Sequence, residues 1–165
     1  MDTRENVKRE VMQRLDRMGI PYHALEHPPI LTVAEGKLIA LRQGALCCKS
    51  LLLKSKRACY LLLLPADKKL QSKNLAGQIG SGHLSFASDE DLSMLLNTFS
   101  GAVSVLGLLY DQDRRVELLI DRDVIDAPYI DCHPCTNDCS LKIATRDLLE
   151  RFLPGLGRTW KTVDL

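Results

Sequence analysis

The apolar positions at the start of the chain follow a helical period. The residues of this stripe, three or four positions apart, are Val7, Val11, Leu15 and Met18. They predict a first helix with Asp2 as its cap and Gly19 as its stop. A short strand over residues 20–25 and a helix over residues 32–41, capped by Thr32, are predicted to follow.

The middle of the chain is dominated by strand signals. Residues 49–53 and 58–64 predict two strands joined by a polar turn. The second of these strands is apolar at every position, so we expect both of its faces to be covered. A helical pattern occupies residues 66–79, and residues 83–87 predict another short strand.

The second half mixes helices, strands and turns. Ser88 precedes three acidic residues and predicts the cap of a helix that ends near Phe99. Residues 101–109 and 115–121 predict a hairpin. The remaining predicted elements are strands at 129–133, 140–144 and 159–163, and a helix capped by Thr145 that extends to Leu153. This order indicates an α+β or mixed α/β sheet flanked by helices, not a doubly wound one.

Composition narrows the class of protein. The chain has 165 residues, of which 45% are hydrophobic and 26% are charged, which indicates one globular domain over residues 1–165. It contains no apolar run of about 18 residues, so no membrane span is predicted. The first residues lack the apolar segment of a secretory signal. We therefore expect a cytoplasmic protein.

Charge is distributed unevenly along the chain. The net charge is +1, yet residues 37–73 carry nine basic and one acidic side chain, and residues 74–165 carry eight basic and fourteen acidic ones. The basic segment could bind a phosphate-bearing partner. Alternatively, the acidic half neutralises it after folding.

Six cysteines invite two chemical interpretations. Cys132, Cys135 and Cys139 surround His133 at a spacing that suggests zinc, but no second pair of suitable spacing exists. A cysteine nucleophile helped by His133 is the other possibility. We favour reduced, buried thiols that act as small hydrophobic side chains, and we predict no metal and no cofactor.

Four segments carry residues suited to a binding site. They are the Pro-Pro loop 26–32, Lys49, the small-residue segment 101–107, and the loop with His133, Asn137 and Ser140. Small residues in a strand let another group approach the backbone, and a histidine on an irregular loop is typical of a ligand-contacting rim. Each segment alone also has a purely structural interpretation.

Taken together and in order, six segments resemble the YbaK/ProX aminoacyl-tRNA deacylases. The segments are EHPPILT (26–32), KSLLLK (49–54), YLLLL (60–64), LSFASDEDL (84–92), GAVSVLGLL (101–109) and HPCTN (133–137). The resemblance extends from about residue 5 to residue 155 and is strongest to the freestanding prolyl-tRNA editing proteins. It implies a mixed sheet with flanking helices, and hydrolysis of alanine from mischarged proline tRNA.

The resemblance also implies roles for individual residues. Lys49 matches a lysine that holds the phosphate of the terminal adenosine, Gly101 matches a glycine loop that positions the substrate, and His133 matches a histidine that lines the pocket. These three are the expected catalytic-site residues. The expected substrate contacts are Ile30, Leu31, Thr32, Ala102, Val103, Ser104, Val105, Cys132 and Asn137. No protein nucleophile is implied, because backbone N–H groups near Gly101 can stabilise the oxyanion while water attacks.

Two departures from the family pattern keep alternatives open. Val105 stands where the family often has proline, and Cys132 stands where a bulky apolar residue commonly precedes the His-Pro pair. A deacylase for cysteinyl-, seryl- or threonyl-tRNA, or a non-catalytic module that binds tRNA or a synthetase, is therefore also considered. The implied partners are the acceptor end of tRNA(Pro) and prolyl-tRNA synthetase, with no DNA and no membrane.

Overall fold

The computed structural model describes residues 3–165 as seven helices, one 3-10 helix, one π-helical turn and eight strands. The helical elements are α1 (Thr3–Arg17), α2 (Val33–Gln43), α3 (Ser72–Ile79), α4 (Asp89–Leu96), the 3-10 helix Val105–Tyr110, α5 (Arg122–Asp126), α6 (Thr145–Asp147), the π-helical turn Leu148–Phe152 and α7 (Leu153–Gly155). The strands are β1 (His23–Glu26), β2 (Leu46–Lys54), β3 (Cys59–Pro65), β4 (Ser85–Phe86), β5 (Val116–Asp121), β6 (Tyr129–Cys132), β7 (Cys139–Ala144) and β8 (Lys161–Val163).

All eight strands join one mixed sheet in the order β1-β7-β6-β2-β3-β5-β8, with β4 paired to β2. The pairs β2–β6, β3–β5 and β5–β8 are parallel, and the others are antiparallel. Helices connect many of the strands. The predicted mixed α/β sheet is thus confirmed.

Strand β3 lies at the centre of the core. Leu61 and Leu63 pack into the apolar cluster that includes α1, α4 and the 3-10 helix, whereas Leu62 and Leu64 pack into a second cluster with Leu75 of α3. All four leucines are at most 1% exposed. Both faces of the strand are therefore covered, as the unbroken apolar run predicts. Burial of each such leucine side chain stabilises the folded state by about 1.5–3 kcal/mol relative to leaving it exposed.

Two predicted helix caps are confirmed. Thr32 Oγ1 accepts a hydrogen bond from Glu35 N at 3.2 Å, and the Glu35 carboxylate accepts one from Thr32 N. Ser88 and Asp91 make the same reciprocal arrangement at the start of α4. In each case two N–H groups that the helix leaves unpaired gain partners. Helix α4 ends at Leu96, earlier than predicted, because Asn97 adopts φ 49°.

The predicted hairpin over residues 101–121 is wrong. Gly101 has φ +97°, and Ser104 Oγ accepts a hydrogen bond from Leu106 N at 3.1 Å, which starts the 3-10 helix. Strand β5 pairs in parallel with β3, so its partner is not the preceding segment. The apolar run at 105–109 is buried as a helical turn, and burial on all sides removes the alternation that distinguishes strand from helix.

Two smaller predictions need correction, and a third concerns a residue outside the described part of the chain. Helix α3 begins at Ser72, because residues 66–71 form turn and irregular structure instead of its first turns. Thr145 does not cap the final helix; Ala144 occupies that position, and Thr145 lies within the helix. Asp2 lies outside the described residues. No helix within residues 3–165 combines the length and apolar character needed to cross a membrane.

Candidate active site

A split along one edge of β2 creates the main cavity of interest. Strand β6 pairs with this strand through Leu46 and Cys47, and β4 pairs with it through Leu53 and Lys54. Within residues 3–165, no strand pairs with β2 between these two contacts on that edge. The sheet therefore opens there, and loops from other parts of the chain form the walls.

The cavity has a volume of about 300 Å³ and is open to solvent. Its lining residues are Ile30, Leu31, Thr32, Val33, Gly36, Cys47, Cys48, Lys49, Ser50, Leu51, Ala66, Gly101, Val103 and His133. Lys49, Gly101 and His133, which are 52 and 32 residues apart along the chain, thus meet at one cavity. Non-local strand pairing brings them together.

Lys49 supplies a cation at the cavity wall. It lies in the middle of β2, opposite Leu64 of β3, so its backbone is fixed by the sheet. Three other lysines of the basic segment pair with carboxylates: Lys37 with Asp67, Lys54 with Asp91, and Lys68 with Asp121 and Asp123. No carboxylate within residues 3–165 pairs with Lys49. Its ammonium group is thus available to an anionic ligand.

Gly101 opens the turn that borders the cavity. Its φ of +97° is a conformation that glycine adopts without strain, and no atom lies within 4 Å of the position a Cβ would take. Ala102 N donates to Phe99 O at 3.0 Å, which fixes the turn. No described residue accepts a hydrogen bond from the N–H of Gly101 or Val103. These two donors border the cavity and can serve an oxyanion.

His133 presents a neutral imidazole to the cavity. Its Nδ1 lies 3.1 Å from the carbonyl oxygen of Cys139, which only accepts, so Nδ1 carries the hydrogen. Burial lowers the pKa of His133 below its ordinary value of 6.5, and this effect outweighs the hydrogen bond to the Cys139 carbonyl oxygen, which raises the pKa. At pH 7 the Nε2 atom is therefore unprotonated and can accept a hydrogen bond.

The Pro-Pro loop forms the outer wall, and Asn137 holds it in place. Ile30 N donates to Asn137 O at 2.9 Å, and Asn137 Nδ2 donates to Ile30 O at 3.3 Å. Ile30, Leu31 and Thr32 line the cavity, whereas Asn137 does not. The structure thus places Asn137 behind the loop, where it positions Ile30.

A small recess of about 30 Å³ extends the cavity inward. It adds Leu63, Asp131 and Cys132 to the wall. Burial raises the pKa of Asp131 to about 6, although Gln43 Nε2 donates a hydrogen bond to its Oδ2 at 3.2 Å. The recess offers space for about one or two water-sized groups. It is therefore narrow, and part of its floor is polar.

Three predicted contact residues lie beneath the cavity instead of on its wall. Ala102, Ser104 and Val105 are at most 1% exposed, and none of them lines the cavity or its recess. Ala102 and Ser104 precede the 3-10 helix in an irregular segment whose side chains alternate, so both face the core. Val105 begins the 3-10 helix, in which residues 105–109 are all buried. Val103, between them, does line the cavity.

Several lining residues were absent from the sequence-based prediction. They are Val33, Gly36, Cys47, Cys48, Ser50, Leu51, Leu63, Ala66 and Asp131. Those of β2 flank Lys49 directly, so extending the prediction along the strand would have found them. Asp131 precedes Cys132 and had no sequence signal of its own.

The cysteines offer neither a nucleophile nor a recognisable metal site. Burial raises the pKa of Cys47 to about 11, and those of Cys48 and Cys132 also lie above the ordinary thiol value. Protonated thiols are poor nucleophiles and poor metal ligands. No group of three or more His, Cys, Asp or Glu residues within the described chain is arranged to hold a metal ion. The zinc interpretation gains no support.

Comparison with known proteins gives this site its context. A family model described as the aminoacyl-tRNA editing domain matches residues 27–150, which include every residue that lines the cavity. The chain belongs to the aminoacyl-tRNA editing family. A curated relative, the prolyl-tRNA editing protein ProX of Acetoanaerobium sticklandii, is 32% identical over 97% of this chain and 98% of its own length.

A second curated relative matches in extent, and a solved structure matches in fold. Prolyl-tRNA synthetase associated domain-containing protein 1 of Danio rerio is 31% identical over 90% of this chain and 82% of its own length. A crystal structure described as that of a candidate trans-editing enzyme for prolyl-tRNA synthetase superimposes with a TM-score of 0.72, covering 96% of each chain at 21% identity. This last likeness establishes the editing-domain fold.

Proposed function

We propose that this protein hydrolyses the ester linking a small amino acid to mischarged proline tRNA, with alanyl-tRNA(Pro) as the substrate. One observation carries the proposal: Lys49, Gly101 and His133 line a single open cavity that narrows to a recess of about 30 Å³. Membership of the editing family and the name of the ProX relative support the same reaction.

Binding begins with the phosphate of the terminal adenosine at Lys49. This ammonium group makes no ion pair within the described chain, and the fixed backbone of β2 holds its stem at the cavity wall. A charge-assisted hydrogen bond to phosphate is about twice as strong as a neutral one. Lys49 therefore sets where the ester bond lies relative to the recess.

Selection follows from the size of the recess. A synthetase site built for proline cannot strongly reject alanine, because each missing methylene is worth only about 1–3 kcal/mol. A second site too small for the proline ring excludes the correct product by steric clash instead. The recess of about 30 Å³ accommodates a methyl group and not a ring of three methylenes.

The chemical step needs no covalent intermediate. A water molecule forms a bond to the acyl carbon, the bond from that carbon to the ribose oxygen breaks, and a proton passes to the ribose oxygen. The N–H groups of Gly101 and Val103 stabilise the oxyanion that forms meanwhile. The unprotonated Nε2 of His133 orients the water or the substrate amine by accepting a hydrogen bond.

A second substrate is favoured by the polar floor of the recess. The Asp131 carboxylate, with a pKa raised to about 6, is mainly ionised at pH 7 and can accept a hydrogen bond from a hydroxyl or thiol group. Seryl- and cysteinyl-tRNA are therefore the competing substrates. The feature that motivated a non-catalytic module, Val105, lies fully buried in the core and does not reach the cavity.

A panel of charged tRNAs tests the proposal. Purified protein should release alanine from alanyl-tRNA(Pro) well above the buffer rate while sparing prolyl-tRNA(Pro). Faster release of serine or cysteine than of alanine would transfer the assignment to the second substrate. Binding of charged tRNA without hydrolysis of any ester would refute catalysis. The acceptor end of tRNA(Pro), prolyl-tRNA synthetase as a partner and a cytoplasmic location remain predictions that accompany this proposal.

A further inference from the structure

A second, larger depression lies beside the cavity, along the same edge of β2. It is an open groove of about 950 Å³. Its lining residues are Lys54, Ser55, Lys56, Arg57, Tyr60, Gly80, Ser81, Gly82, His83, Ser85, Phe86, Ser88 and Asp91. None of them lines the cavity that contains Lys49. The groove is therefore a separate surface, and the proposed chemistry does not use it.

The groove carries unpaired positive charge on a rigid support. Lys56 and Arg57 occupy the turn between β2 and β3, and both are exposed. Ser55 fixes this turn, because its Oγ accepts hydrogen bonds from Arg57 N at 3.2 Å and Ala58 N at 3.1 Å. No acidic side chain within residues 3–165 pairs with either cation.

The negative charge near the groove is already compensated at its wall. Asp91 is the one carboxylate that lines the groove, and Lys54 Nζ lies 3.1 Å from its Oδ2. Asp89 and Glu90, from the same helical turn, do not line the groove. Lys56 and Arg57 thus give the groove a positive potential that suits a phosphate backbone.

An aromatic ring stands exposed between these cations and the cavity. Phe86 is 66% exposed, although large apolar side chains are normally buried. It pairs with Leu53 of β2, and Leu53 pairs with Tyr60 of β3, so the three side chains form one row on one face of the sheet. Both rings line the groove.

Side chains on the same face of β2 connect this row to the cavity. Lys49, Leu51 and Leu53 point to the same face, because side chains alternate along a strand. Leu53 is four positions after Lys49, a span of about 13 Å along β2. That span corresponds to about four stacked nucleotides at ~3.4 Å each.

We infer that this groove binds the unpaired 3′ strand of the tRNA acceptor end, with a base stacked on Phe86 and backbone phosphates at Lys56 and Arg57. The inference rests on the proposed function, since it extends the path of an RNA whose last nucleotide occupies the cavity. Exposed aromatic rings beside cations are how proteins hold single-stranded RNA without reading its sequence. The adjacent position of groove and cavity on one strand sets the direction of the RNA.

Direct binding of uncharged RNA tests the groove independently of hydrolysis. The probe is a fluorescently labelled acceptor-stem minihelix with an unpaired 3′ strand that ends in CCA. Phe86→Ala should weaken its binding about tenfold, whereas Phe86→Tyr should retain affinity because the ring is kept. Met94→Ala is the matched control, since Met94 is 58% exposed and lies outside the groove. Equal affinity of Phe86→Ala and Met94→Ala would overturn the inference.

The charge arm uses a pair of double variants with equal charge change. Lys56→Ala/Arg57→Ala should reduce the slope of log affinity against log salt concentration by about 1.4, which is the loss of two contacts to single-stranded phosphate. Lys69→Ala/Lys73→Ala, two exposed lysines outside both depressions, should leave most of that slope intact. Equal loss in both variants would show a diffuse surface and overturn the assignment to the groove.

A short substrate separates this inference from the proposed function. For alanyl-tRNA(Pro), Phe86→Ala should raise KM and leave kcat nearly unchanged. For alanine esterified to the ribose of adenosine 5′-monophosphate, which keeps the phosphate for Lys49 and reaches only the cavity, it should change neither. Loss of activity on both substrates would contradict the inference. The wild-type protein could bind the minihelix through Phe86 and yet hydrolyse no ester. That result would refute the proposed function and still support RNA binding by the groove.

Discussion

Lys49 combines a fixed backbone with a side chain that makes no ion pair in the described chain. Because β2 and β3 pair at this position, removing the ammonium group changes the ligand site and not the fold. Lys49→Ala should lower kcat/KM for alanyl-tRNA(Pro) about 10- to 100-fold, the value of one hydrogen bond to a charged group. Steady-state kinetics measures the loss, and the urea midpoint should stay close to that of the wild type.

Lys69→Ala provides the control for net charge, since Lys69 is exposed and does not line the cavity. Lys49→Arg should recover part of the activity, because it keeps the charge but presents it with a different geometry. An unchanged kcat/KM for Lys49→Ala would remove this residue from the site.

Asp131 makes stability depend on pH in an unusual direction. Its pKa is raised from 3.8 to about 6 by burial, so the folded state holds this proton more tightly than the unfolded state does. The destabilisation is therefore absent below pH 3.8, grows as pH rises towards 6, and is complete above 6. Asp131→Asn should stabilise the protein by about 1–3 kcal/mol at pH 8 and by about a third of that amount at pH 4.5.

Urea unfolding of variant and wild type at both pH values measures the difference. Gln43 can still donate to the oxygen of the new amide, so the buried contact is kept. Asp126→Asn, at an exposed aspartate, should show no comparable change between the two pH values. A stability difference for Asp131→Asn that is equal at pH 4.5 and pH 8 would contradict the assigned pKa.

At the scale of elements, the 3-10 helix packs against the end of α4 through a glycine. A Cβ on Gly107 would lie 3.0 Å from both the Cβ and the carbonyl oxygen of Leu96. Gly107→Ala therefore forces the end of α4 to shift and should destabilise the protein by about 1–3 kcal/mol. Chemical denaturation measures the change in the free energy of unfolding.

Gly77 is the matched control for the same substitution. It lies inside α3, and no atom is within 4 Å of the position a Cβ would take. Gly77→Ala should therefore stabilise the protein by about 0.4–1 kcal/mol, because alanine restricts the unfolded chain and favours helix. The same sign for both substitutions would be inconsistent with a close approach at Gly107.

These elements also show what sequence reasoning could and could not reach. The caps at Thr32 and Ser88 were predicted correctly, because a cap depends on residues within one helical turn. The strand prediction for residues 101–109 is wrong, since the short run 105–109 is apolar throughout and has no period. Strand β4 was anticipated, but its pairing with β2, which places Phe86 in the groove, depends on residues about 30 positions away.

The cavity shows the same limit on a larger scale. Lys49, Gly101 and His133 were singled out, but no local pattern in the sequence brings them together; only the resemblance to a family did so. Asp131 is missed, because its raised pKa arises from burial by residues distant in sequence, which outweighs the lowering effect of the hydrogen bond from Gln43, 88 residues away. Chemistry that depends on non-local burial cannot be read from residue type alone.

At the scale of the whole molecule, both interpretations of the basic segment hold in part. Acidic residues of the second half pair with Lys54 and Lys68, so some of the excess charge is neutralised on folding. Lys49, Lys56 and Arg57 keep no such partner within residues 3–165, and all three line the cavity or the groove. These three cations thus lie at the two depressions beside β2, whereas Arg42, Lys69 and Lys73, which also make no ion pair within residues 3–165, lie outside both.

A buried ion pair ties the C-terminal segment to the start of β5. Arg158 Nη2 lies 2.7 Å from Asp111 Oδ2, and Arg158 Nη1 donates to Val116 O at 3.0 Å. The Asp111 carboxylate also accepts hydrogen bonds from Arg115 N and Val116 N. The two side chains are only 6% and 2% exposed, so neither charge has water as an alternative partner.

Removing one member of this pair should therefore lower the free energy of unfolding far more than replacing both members with uncharged side chains. Arg158→Met leaves a buried, uncompensated carboxylate and should destabilise the protein by about 3–5 kcal/mol. Arg158→Met/Asp111→Asn should be less destabilising than the sum of the two single changes, because no buried charge remains. Arg146→Met is the matched control: Arg146 pairs with Glu150 on the surface, and such pairs contribute about 1 kcal/mol or less. Urea unfolding of the four variants, Asp111→Asn included, completes a double-mutant cycle, and strictly additive effects of the two single changes would contradict the coupling.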